Sequence, residues 1–156
     1  FEILTFQITA PGVDAVAAAL TPLMAVSVLA VTAVGALKAV RGATFPRLFP
    51  PLALTLVTLL IVTNKVGSPQ FQTWLIAPVI LWLVLDRVRA RTPAVVVLAL
   101  CLLTCLVYPL GYDALLRADA LSVAVLTVRN VLLVVLLVLG IRALVRVPVR
   151  HPRTQE

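Results

Sequence analysis

A chain of 156 residues that is 62% hydrophobic and only 12% charged is too apolar for a water-soluble domain, where about a quarter of residues are charged. The formal charge of +7 would suit nucleic acid, but the cations cluster between apolar runs and form no patch on a soluble face. That placement excludes a nucleic-acid partner and points to the lipid bilayer.

The chain starts at Phe1 with no basic segment ahead of an apolar one, so no signal peptide is expected. It reads as the C-terminal part of a longer polytopic protein. Spanning a bilayer core takes about 20 apolar residues as helix, somewhat fewer at the short end. The runs that approach this length are Ala15 to Leu37, about Leu48 to Thr63, about Phe71 to Leu85, Ala94 to Leu110, and a fifth within Leu121 to Val145. Pro50 and Pro51 should open the second helix and Pro93 the fourth, where a missing N–H costs little. Pro22 and Pro78 lie inside runs and should kink them. Cys101 and Cys105 share a helix face without His or carboxylate neighbours, which suits packing better than a metal or a disulfide.

Ten of the thirteen cations fall on one side of this division. Lys38, Arg41 and Arg47 occupy the first loop, Arg87, Arg89 and Arg91 the third, and Arg142, Arg146, Arg150 and Arg153 the C-terminal stretch. By the positive-inside rule that side is cytosolic. The expected architecture is an all-α polytopic transmembrane helix bundle of about five membrane helices, N-terminus external and C-terminus cytosolic. Residues 1–145 would form the bundle and 146–156 a basic cytosolic tail.

On the external side one turn stands out, TNKVGSPQFQTW, from Thr63 to Trp74. Lys65 there has amides and a hydroxyl around it, Asn64, Ser68, Gln70 and Gln72, and no carboxylate. An ammonium near hydrocarbon either snorkels or meets an anion. Ser68 as N-cap with Pro69 at the first helical position would aim free N–H groups outward, an arrangement that attracts phosphate. Arg129 is the other unusual cation, near the outer end of the last run. Three readings stay open for it: contact with a ligand phosphate beside Lys65, pairing with Asp113 or Asp119, or snorkelling.

NKVGSPQFQTWL, PGVDA (Pro11 to Ala15) before a membrane helix, and TVRN (Thr127 to Asn130) resemble segments of actinobacterial membrane glycosyltransferases of the GT-C class. They resemble in particular mannosyltransferases that use polyprenyl-phosphate-mannose donors, and the specific stretch is Asn64 to Gln70. The resemblance implies an inverting transfer of a sugar, with mannose the expected one, at the external face of a bacterial plasma membrane. The donor is a polyprenyl phosphate and the acceptor a glycolipid or polysaccharide. A leaving lipid phosphate needs cations and N–H donors, which makes Asn64, Lys65, Ser68, Gln70 and Arg129 the candidate substrate-binding residues. The resemblance places the catalytic carboxylate in an early external loop with no counterpart here, among helices that precede this segment. No catalytic residue, metal ligand or cofactor is therefore assigned, and the segment alone should be inactive. Other readings remain: a fragment of a transporter or flippase, with Pro22, Pro78 and the polar turn as parts of a broken-helix site, or a purely structural membrane subunit.

Overall fold

The computed structural model describes residues 11–64 and 67–149. Every regular element among them is helical: α1 (Val13–Val40), α2 (Phe45–Thr63), a 3-10 helix (Pro69–Leu75) running into α3 (Ile76–Leu85), α4 (Arg87–Cys105), a wide π-type turn (Leu106–Leu110), α5 (Tyr112–Leu116) and α6 (Ala120–Val145). Four spans are long and apolar enough to cross a membrane, Val13–Val40, Phe45–Thr63, Arg87–Leu110 and Ala120–Val145. The expected fifth crossing is the shorter apolar segment Pro69–Leu85. Its 3-10 portion rises about 2.0 Å per residue against about 1.5 Å in an α-helix. Seven 3-10 and ten α residues together reach about 29 Å, close to the hydrocarbon thickness.

The joints explain themselves locally. Gly42, at φ +80°, ends α1, with Gly42 N–H donating to Ala39 O and Ala43 N–H to Lys38 O, the paired bonds of a Schellman motif. Asp86 alone separates α3 from α4, and its carboxylate accepts from Arg89 N–H at 3.3 Å. That cap starts α4 at Arg87, so the expected loop of arginines is helical and Pro93 lies within the helix, not at its start. Likewise α2 begins at Phe45 with Pro46 in its first turn, and Pro50 and Pro51 fall inside. Helix α1 runs unbroken across Pro22, and Pro78 sits in the first turn of α3, where its missing N–H disturbs little. The fourth run stops being α-helical at Cys105. Tyr108, ahead of Pro109, leaves helical dihedrals at φ −146° and ψ 124°, as residues before proline tend to do.

Helix α2 is central. It packs on α1, α3 and α6, while α4 joins α3 to α6. The main core gathers Leu54, Trp82, Leu100 and Leu136 from α2, α3, α4 and α6, with Leu75 from the 3-10 helix. The inward stripe of α6 is Arg129, Leu133, Leu136, Gly140 and Leu144, spaced by threes and fours as one helix face requires. In α1 only Gly35 is buried, and Val16, Val26 and Leu29 are exposed, as suits a surface wetted by lipid or by further apolar helices.

Charges separate along the bundle axis. The ends of α1, α3 and α6 and the starts of α2 and α4 meet at one end, here the basic end, which carries eight described cations. Lys38 Nζ donates there to the carbonyls of Val145 and Val147 at 2.9 and 2.8 Å, ties α1 to α6 and answers the negative end of α6. Helices α2 and α6 approach closely at Gly140. A Cβ on Gly140 would come within 2.6 Å of Thr55 Oγ1, a hydroxyl already bound to Pro51 O. Gly140→Ala should therefore destabilise the bundle by about 1–3 kcal/mol, and Thr55→Ala in the same chain should recover most of the loss, as read by thermal unfolding in detergent.

Candidate functional site

At the end opposite the basic one, α2 turns into the 3-10 helix. Asn64 terminates α2 in extended backbone and is exposed and engaged in a polar contact. Lys65 lies outside the described residues. Ser68 occupies the N-cap position with Pro69 after it, but its side chain makes no capping bond. The reason is the tighter helix. Phe71 N–H is already taken by Ser68 O at 3.2 Å, so an amide that a capping hydroxyl would serve is in use.

The three-residue period of this helix decides which amide faces inward. Gln70, Thr73 and Ile76 share the exposed face, and Thr73 Oγ1 donates to Gln70 O at 2.7 Å. Gln72 and Leu75 share the opposite face and are 4% and 0% exposed. Both Oε1 and Nε2 of Gln72 are buried without a hydrogen-bond partner among the described residues. A buried amide with neither donors nor acceptor satisfied is rare in folded proteins and costs about 1–3 kcal/mol. Of the two glutamines, sequence pattern favoured Gln70 as the ligand contact, and the fold brings Gln72 inside instead. The signal was present in the spacing, but only under a 3-10 period.

Arg129 is 5% exposed at the head of the inward stripe of α6. Its Nε donates to Thr104 Oγ1 at 3.3 Å and its Nη1 to Asn130 Oδ1 at 3.1 Å. It pairs with neither Asp113 nor Asp119, which corrects one of the open expectations. Asp119 caps α6 instead, accepting from Leu121 and Ser122 N–H, and Asp113 is exposed in α5. Among the described residues the guanidinium has neutral partners only.

Counted by helical rise from the basic end, Arg129 on α6, Thr104 on α4, Thr63 on α2 and Gln72 on the 3-10 helix all lie about 22–27 Å along the bundle. The other buried polar side chains, Thr55 and Thr58, lie shallower, about 15 and 20 Å from the start of α2, and are bound to Pro51 O and Leu54 O. Thr63 is satisfied by Leu59 O at 2.7 Å, which leaves Arg129 and Gln72 as the groups able to take a ligand. Among the described residues hydrogen bonds join Arg129 to α4 and not to the polar turn, but the 3-10 helix and α6 both pack on α2 and α4. The level suits an anion held just below the surface. No group of three or more His, Cys, Asp or Glu able to hold a metal occurs among the described residues.

Replacing Gln72 by Leu should raise the melting temperature of the ligand-free protein, because it removes an unpaired buried amide at little change in volume. Gln70→Leu, on the exposed face, should leave it within the scatter of surface substitutions. No protein-family model, curated protein or solved structure matches the chain.

Proposed function

We propose that the chain is part of a membrane glycosyltransferase that moves a sugar, mannose by resemblance, from a polyprenyl phosphate donor to a glycolipid or polysaccharide acceptor. One observation carries this reading. Among the described residues, a buried guanidinium in a membrane helix is held by neutral side chains only, at a similar helical rise to a buried amide that has no partner. A charge so placed calls for an anion. The basic end faces the cytosol by the positive-inside rule, so the polar level faces outward, at the external side of a bacterial plasma membrane.

The chemistry needs what this level offers. In an inverting transfer the acceptor hydroxyl attacks the anomeric carbon and the bond to the donor phosphate oxygen breaks. The leaving phosphate gains charge, and guanidinium and amide donors stabilise it more in the transition state than in the ground state. Arg129 and Gln72 take this role, with Asn64, Ser68 and Gln70 as the rim of the site, and Lys65, outside the described residues, is the further cation this reading assigns to the phosphate. The hydroxyl proton goes to a carboxylate base supplied by helices and loops outside this segment.

In the full-length protein Arg129→Gln should lower kcat/KM for a polyprenyl-phosphate sugar about ten- to a hundredfold with no matching loss of folded protein. Lys65→Met should lower it as well. Unchanged turnover in both variants would remove the phosphate site. In intact cells a cysteine at position 68, with Cys101 and Cys105 replaced, should react with an impermeant maleimide from outside. Labelling only after lysis would reverse the orientation.

A further inference from the structure

The basic end contains a cavity of about 450 Å³ between α2, α3, α4 and α6. Arg47, Arg89, Arg142 and Arg146 line it, each exposed, with Asp86 and the buried Trp82. Among the described residues Asp86 forms an ion pair with Arg89 only, at 3.6 Å, and four arginines against one carboxylate leave the lining net positive. Topology explains why cations gather at this end, but it does not require them to converge from three helices onto one hollow.

The hollow changes character with depth. By helical rise the four arginines lie within about 5 Å of their helix ends. Pro51, Pro93 and Leu139, which also line it, each lie about 9 Å in. Cations at the mouth and an apolar wall one turn deeper match an amphiphile with an anionic head. The volume is within the usual range of small-ligand sites. Arginine forks bind phosphate oxygens in pairs, and basic pockets between membrane helices recruit anionic head groups.

We propose that this cavity binds a phosphate group, carried by an anionic phospholipid of the inner leaflet whose acyl chains follow the apolar wall. The site is separate from the polar level at the other end and does not depend on the glycosyltransferase reading. Its ligand would act as a structural lipid that joins α2, α4 and α6.

The test uses the full chain purified in detergent, with phosphatidylglycerol, phosphatidylcholine or inorganic phosphate added, read by melting temperature and by native mass spectrometry. Phosphatidylglycerol should raise the melting temperature and remain bound, and phosphatidylcholine should do neither. Arg89→Gln with Arg142→Gln should weaken phosphatidylglycerol about thirtyfold, about fivefold per arginine. Arg41→Gln with Arg91→Gln removes the same charge from the same end outside the cavity and should change little. Leu139→Trp keeps every charge but fills the apolar wall, so it should weaken the lipid as well. An equal response to inorganic phosphate, unaffected by Leu139→Trp, would assign the site to free phosphate and overturn the lipid. Equal losses in the two double variants, or no preference for phosphatidylglycerol, would overturn the site itself.

Discussion

The organising constraint of this bundle is the cost of leaving a charge in hydrocarbon. It sends the cations of three separate stretches of chain to one end and sets the direction in which each helix runs. Lys38 at the end of α1 and the final carbonyls of α6 meet only because both helices run the same way. That requires the segment from Pro69 to Leu85 to cross as well, although it is shorter than its neighbours. Two described cations lie away from the basic end: Arg117 is exposed after α5, whereas Arg129 is buried, and its inward position with neutral partners is what makes it informative.

A second constraint follows from the first. A crossing of 17 residues must be lengthened, and the 3-10 turns at its start do so without breaking the internal hydrogen bonds that hydrocarbon demands. The same geometry redirects side chains. It turns Gln72 toward the core and Gln70 toward the surface, and it uses a backbone donor that Ser68 would otherwise cap. Length compensation and a polar group at depth thus come from one local choice of helix type.

The two ends differ in how they would hold an anion. At the far end one buried guanidinium and one amide lie below the surface, an arrangement suited to a charge that changes during a reaction. At the basic end four exposed arginines surround an open hollow, an arrangement suited to a head group that is held and not transformed. Helices α2, α4 and α6 contribute to both, so a ligand at one end bears on the packing of the same helices that build the other. The tight contact of Gly140 with Thr55 lies between them and fixes the spacing of α2 and α6.

Composition and apolar run lengths alone determined the all-helical membrane class, the division into five segments and the segregation of charge, because these follow from solvation of whole stretches of chain. They also singled out the polar turn and Arg129 as places where that solvation rule is strained. Helix starts were misjudged at Pro50, Pro51 and Pro93, since Pro46 and the Asp86 cap open those helices earlier and the later prolines are tolerated inside. Which glutamine is buried, which partner Arg129 takes and where four distant arginines converge were decided by tertiary structure. Each depends on helix phase and on contacts between segments far apart in the chain, and neither quantity is carried by the hydropathy of a single run.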